Sequence, residues 1–208
     1  MARLWAGGAE LQTSASGVEY SAFTTTEPVI ETTTKRSGNA AWRISNAAAV
    51  EGFRQIHTAA QGSFFFRFYL YIVALPTITS TIGGSRTTGT NRINFRLTTT
   101  GTLQLYNTED SAQVGSDSAA LSLATWYRIE MTYDSTTLAS TTCSARIDGT
   151  EFASGTVDIA ATPNSFGCFT AAGDLTLDYI VDDCAINDTT GSFENTWPGE
   201  GEVIILRP

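Results

Sequence analysis

The longest regular pattern in the chain runs from Ser63 to Ala74, SFFFRFYLYIVA, where Phe64, Phe66, Phe68, Leu70 and Ile72 alternate with Phe65, Arg67, Tyr69, Tyr71 and Val73. Side chains of an extended strand point to opposite faces with a period of two. The pattern therefore predicts a long strand with one face in a core and a second face that is polar and aromatic. Arg92 to Thr98 repeats the alternation, setting Ile93, Phe95 and Leu97 against Arg92, Asn94 and Arg96, and Thr100-Gly101-Thr102 then leads into Leu103 and Leu105 as a meander hairpin. In Trp126 to Tyr133, Tyr127, Ile129, Met131 and Tyr133 are expected inward and Arg128, Glu130 and Thr132 outward. Asp148-Gly149 joins two further strands through a tight turn, since both residue types tolerate the left-handed backbone such a hairpin requires.

Shorter extended segments are expected at about 9–11, 18–22, 28–32, 40–45, 53–57, 143–148, 151–159, 165–169, 174–186 and 202–206. The segment from Asp174 to Ile186 changes phase: Leu175, Leu177, Tyr179 and Val181 share one parity, whereas Ile180, Cys184 and Ile186 share the other. A bulge near Tyr179 to Asp182 would produce this switch and turn Asp182 toward the interior, where a carboxylate needs hydrogen-bond partners or an ion. Thr77 to Thr90, poor in apolar residues and carrying Gly83-Gly84 and Gly89, is expected to be a mobile loop. Asn46 to Glu51 is the sole helical candidate and is too short to stand alone. Together the pieces predict an all-β protein, a sandwich of two antiparallel sheets spanning residues 1–208 as one domain, with residues 191–208 as a closing strand or arm.

Composition narrows the function. Charged residues make up 16% of the chain and Lys35 is the only lysine. A net charge of −9 argues against holding a nucleic-acid backbone by neutralising phosphates. No apolar run approaches the roughly 20 residues that span a bilayer, so no membrane partner is expected. The opening MARLWAGGAELQ lacks the apolar stretch of a secretory signal. Cys143, Cys168 and Cys184 are widely spaced and unlike a zinc set. They read as buried small hydrophobes, with a Cys143–Cys168 or Cys168–Cys184 disulfide as the alternative.

The order of Trp42-Arg43-Ile44, the long strand from Phe64, Leu103-Gln104-Leu105-Tyr106, Trp126-Tyr127-Arg128-Ile129-Glu130, Arg146-Ile147-Asp148-Gly149 and Tyr179 to Ile186 resembles the concanavalin A-like, laminin-G-like jelly roll. The opening Arg3 to Leu11 and the close from Asp188 through Gly201 look like the version found in tailed-bacteriophage virion proteins. That resemblance implies a non-enzymatic structural or decoration component of a capsid or tail, partnered by other virion proteins or by itself. Such a protein would be made in the host cytoplasm without a signal peptide and would reside on the particle surface. The broader family also binds glycans, often with calcium, and some relatives cleave them. A carbohydrate-binding adhesion module is thus the alternative, and a glycoside hydrolase a more distant one.

Three sets of residues are candidates for chemistry. If strands 63–74, 91–98 and 125–133 share a sheet, Arg67, Tyr69, Tyr71, Asn94, Arg96, Arg128 and Glu130 form one face. Aromatic rings beside bidentate donors suit either a protein interface or a sugar ring. Asp182 and Asp183 are the candidate calcium ligands, since that cation takes carboxylate oxygens. Hydrolysis needs two carboxylates roughly 5–10 Å apart across the scissile bond. The acidic strand motif that hydrolytic relatives carry is missing, leaving Asp178 and Glu200 as isolated candidates. His57, the sole histidine, reads as structural.

Overall fold

A computed structural model describes residues 3–23, 25–45, 51–57, 60, 62–87, 89–170, 176–190 and 192–203. The strands, in chain order, are β1 (Arg3–Gly7), β2 (Ala22–Phe23), β3 (Val29–Glu31), β4 (Ala41–Ser45), β5 (Gly52–Ile56), β6 (Ser63–Ala74), β7 (Ser80–Thr87) and β8 (Thr90–Leu97). They continue with β9 (Leu103–Asn107), β10 (Ala112–Val114), β11 (Trp126–Asp134), β12 (Thr141–Ile147), β13 (Thr150–Val157), β14 (Ser165–Phe169) and β15 (Asp178–Asp188). One turn of 3-10 helix, Leu138–Ser140, precedes β12. The first sheet has the order β13-β12-β11-β6-β15-β4-β3, with β1 also on β15, and the second the order β10-β9-β8-β7-β14-β5-β2. Every named pair is antiparallel, giving the two-sheet jelly-roll-like sandwich expected from the alternation.

The core lies between the sheets and is filled by the residues that alternation assigned to it. Phe64, Phe66, Phe68, Leu70 and Ile72 of β6 have no exposed surface, and neither do Ile93, Phe95 and Leu97 of β8 or Ile129 and Met131 of β11. Burial of each such side chain contributes about 1.5–3 kcal/mol. Rings clamp the sheets together: Phe64 stacks on Phe166 at 3.6 Å, Trp42 meets Phe53 at 4.3 Å, and Phe68 meets Phe95 edge-on at 5.8 Å. Cys143, Cys168 and Cys184 are free and buried, so neither candidate disulfide forms. His57 lies against Phe166 with its ring centroid 5.7 Å away, and burial lowers its pKa.

Local turn chemistry follows the sequence. Asp148 and Gly149 have φ of 51° and 85°, the left-handed pair a two-residue hairpin requires. The phase switch in β15 is a register shift between Asp182 and Ala185, with Asp183 at φ 47°. There β15 passes from β4, which pairs Asp178 to Val181, to β1, which pairs Cys184 to Asn187.

Three expectations are corrected. Thr77 to Thr90 is not a loop throughout: Ser80–Thr87 is β7, inside the second sheet between β8 and β14. Its low apolar content has a steric cause, because a Cβ on Gly83 would lie 2.8 Å from the Gly167 carbonyl oxygen and one on Gly84 2.4 Å from Asn94 Oδ1. The glycines permit close strand approach where hydrophobic side chains would not fit. The first strand falls at residues 3–7 rather than 9–11. Strand 91–98, as β8, belongs to the second sheet and shares none with β6 and β11. The helical candidate at 46–51 and the apolar run 203–206 lie largely outside the described residues.

Candidate functional site

β6 and β11 are neighbours, and their register sets Arg67 opposite Glu130, Tyr69 opposite Arg128 and Tyr71 opposite Trp126. Five of the seven candidate face residues, Arg67, Tyr69, Tyr71, Arg128 and Glu130, therefore share the outer face of the first sheet. Asn94 and Arg96 do not join them. They lie on the outer face of the second sheet, because β8 pairs with β7 and β9.

The first face is covered by its own chain. Arg67, 2% exposed, donates from Nη1 to the Gly199 carbonyl at 2.9 Å and from Nε and Nη2 to the Asp183 carbonyl at 3.1 and 2.9 Å. Glu130, 1% exposed, accepts from Arg128 Nε at 3.1 Å and from the Gly199 N–H at 2.9 Å. Glu200 accepts from the Tyr69 hydroxyl at 2.7 Å, from Arg36 Nη2 at 3.4 Å and from Arg128 Nη1. Trp197 packs on Phe65 and under the Arg146 guanidinium, 5.5 and 3.9 Å away. Residues 196–203 thus form an arm seated on the very side chains that pattern alone offered to a partner. Desolvation lowers the pKa of Arg67 and raises that of Tyr69. The Tyr69 hydrogen bond, before Arg128 and Arg36, holds the Glu200 carboxyl below its ordinary value.

Asp182 and Asp183 are fully buried at the β15 bulge. Asp182 accepts from the backbone N–H groups of Arg36 at 2.9 Å, Ser37 at 3.2 Å and Asp183 at 2.7 Å. Asp183 accepts from Arg36 Nη1 at 2.8 Å, the Ser37 hydroxyl at 2.8 Å and the Val203 N–H at 2.5 Å. Every one of these partners is a donor, which is the setting of a carboxylate already satisfied by protein and not of one facing a cation. The pair does not fit calcium, and the expectation that it ligates that ion is withdrawn. Among the described residues no group of three or more His, Cys, Asp or Glu could hold a metal. Burial first, and then the neighbouring Asp183, pushes the Asp182 carboxyl up to about 7. Asp178 is held by Arg43 through Nε at 2.9 Å and Nη2 at 2.5 Å. Both isolated hydrolase candidates, Asp178 and Glu200, are therefore engaged by arginine.

The second sheet presents a different outer face. A single row crosses six strands by register: Arg54 opposite Gly167, Gly167 opposite Gly84, Gly84 opposite Asn94, Asn94 opposite Tyr106, and Tyr106 opposite Gln113. Five strand spacings make it roughly 24 Å long. The Arg96 guanidinium lies 3.9 Å from the Tyr106 ring centroid, a stacked cation–π contact. Gln104 and Gln113 donate to Asp117 Oδ1 at 3.0 and 2.7 Å, which lowers the Asp117 pKa. Asn94 donates to the Thr108 hydroxyl at 2.8 Å, while its Oδ1 is buried with no partner. Half-buried rings and guanidinium planes beside amides can offer apolar surface and hydrogen bonds to one ligand together. Sequence reasoning missed Arg54 and Tyr106, since alternation cannot say which strands adjoin, and Arg86 and Gln113, since it expected no strand at either position.

No protein-family model matches the sequence, and no curated protein does. Solved structures do resemble the fold. Domain 4 of AbnA, a GH43 extracellular arabinanase from Geobacillus stearothermophilus in complex with arabinotriose, aligns with a TM-score of 0.62 at 16% identity, covering 90% of this chain and 92% of that one. The endo-β-1,4-glucuronan lyase of the fungus Trichoderma reesei gives 0.61 at 9% identity, covering 89% and 95%. A conserved carbohydrate esterase of the Shiga toxin-encoding bacteriophage phi24B gives 0.59 at 10% identity, covering 89% and 97%. At such identities the likeness is one of fold.

Proposed function

We propose that the chain is a non-enzymatic glycan-binding component of a bacteriophage virion, with the outer face of the second sheet as its binding surface. The observation that carries this reading is the Arg96–Tyr106 stack, with Asn94 and Gln113 beside Tyr106 on its register row and Gln104 opposite Arg96 on the next. A stacked ring and guanidinium with neighbouring amides match the alternating C–H and hydroxyl surface of a sugar. The protein-contact reading of the first sheet loses ground because its arginines and tyrosine already hold the arm. A fold shared with an arabinanase domain in complex with arabinotriose favours a saccharide ligand, and one shared with a phage carbohydrate esterase is compatible with a virion setting.

The non-enzymatic part rests on the carboxylates. Glu130, Asp178, Asp182, Asp183 and Glu200 are each engaged by arginine or backbone N–H groups, so none of these five stands free as an acid or base across an open cleft. A glycan array probed with the full chain should give saccharide signals that Tyr106→Ala and Arg96→Ala each reduce by about tenfold or more. A virion protein that contacts protein alone would give no saccharide signal sensitive to either change.

A further inference from the structure

Arg54, at one end of this row, and Arg86, near it, have no acidic partner among the described residues. The ion pairs among the described residues engage Arg3, Arg36, Arg43, Arg92 and Arg128, and none engages Arg54 or Arg86. Arg54 stands opposite Gly167 on one side of β14, and Arg86 opposite Ser165 on the other. The Arg86 guanidinium lies 5.0 Å from the Phe169 ring centroid. Arg86 Nη2 also donates to the Gly89 carbonyl, and Gly89 lines the same hollow as Arg54.

Both Nε atoms are buried without a hydrogen-bond partner. Desolvation, and then the charge of Arg54, lowers the Arg86 pKa. A hollow of about 310 Å³ opens beside them, lined by Arg54, Ile56, Gly89, Asn164 and Ser165. Two like charges drawn out of water side by side cost stability unless an anion joins them. In a chain of net charge −9 a counter-charge elsewhere would be easy to supply, so the local lack of one marks a binding position. Guanidinium forks match an oxyanion through paired N–H donors.

We propose that Arg54 and Arg86 bind the anionic group of an acidic saccharide whose ring extends along the row toward Asn94 and Tyr106. This rests on the reading of the second-sheet face as a glycan site and names the class of glycan. A uronate carboxylate and a sulfate ester share the chemistry. Calorimetry on the full chain with neutral, uronate-bearing and sulfated oligosaccharides of equal length separates them.

The expected result is binding of an acidic oligomer at least about tenfold tighter than the neutral one, weakening as salt rises. Arg54→Gln and Arg86→Gln should each remove about tenfold of that acidic-over-neutral preference. Arg96→Ala should weaken both alike. Arg86→Gln should also retain or raise the melting temperature, because it relieves repulsion, which separates loss of a ligand contact from unfolding. Equal affinity for neutral and acidic oligomers, or a preference that survives both substitutions, overturns the inference and leaves the glycan reading standing. Binding of no oligomer of any charge overturns the glycan reading and the inference with it.

Discussion

At the residue scale, the protein is held by a few buried polar groups whose partners come from far along the chain. Glu10 has no exposed surface and accepts from the Asn39 N–H at 2.8 Å. Gly38 beside it has φ of 57°, and a Cβ there would lie 2.0 Å from Glu10 Oε1. Gly38→Ala combines left-handed strain with a collision against a buried carboxyl. It should destabilise the fold by roughly 1–3 kcal/mol in urea unfolding. An unchanged midpoint would mean that Glu10 has room to move. Glycine content at 38 was visible in the sequence, but the carboxyl it admits, 28 residues earlier by numbering, was not.

At the element scale, the arm of residues 196–203 is the feature that alternation could not place. It has no period-two pattern of its own, and what fixes it is a set of complementary groups: Gly199 between Arg67 and Glu130, Glu200 over Tyr69 and Arg128, and Val203 on Asp183. Glu200 is 73% exposed, so its ion pairs alone contribute about 1 kcal/mol or less. The larger effect is the satisfaction of buried Arg67 and Glu130. Ending the chain at Pro198 should therefore cost roughly 3–5 kcal/mol, while Glu200→Gln alone should cost far less. Chemical denaturation of the two variants side by side checks the ranking, and equal losses would relocate the effect to the carboxylate. The same scale explains β7, whose glycines resemble loop chemistry but serve close contact with β8 and β14.

At the scale of the whole molecule, the buried and the surface carboxyls impose opposite pH trends. Burial raises the pKa of Asp182 to about 7 and raises those of Glu10 and Glu51 as well. For these groups the folded state keeps a proton that the unfolded chain has already lost, so their contribution falls as pH rises from about 4 toward 7. Glu31, Asp117, Asp134 and Glu200 are shifted down by hydrogen bonds, and the stability they contribute is lost as pH drops below the ordinary carboxylate range. The melting temperature should then peak near about pH 5 and decline toward about pH 8. A thermal-shift series that climbs steadily across that interval would contradict the raised pKa of buried Asp182.

The sequence by itself determined which side chains face inward on β6, β8 and β11, the Asp148-Gly149 hairpin, the bulge in β15 and the two-sheet class. These are local consequences of a period of two and of backbone sterics, readable within a dozen residues. Tertiary structure alone decided that β8 adjoins β7 and not β6, that the arm closes over the Arg67–Glu130 face, and that Arg54 and Arg86 flank β14 from its two neighbouring strands. Strand order and arm docking depend on contacts between residues remote in the chain, and alternation carries no information about which extended segment lies beside another.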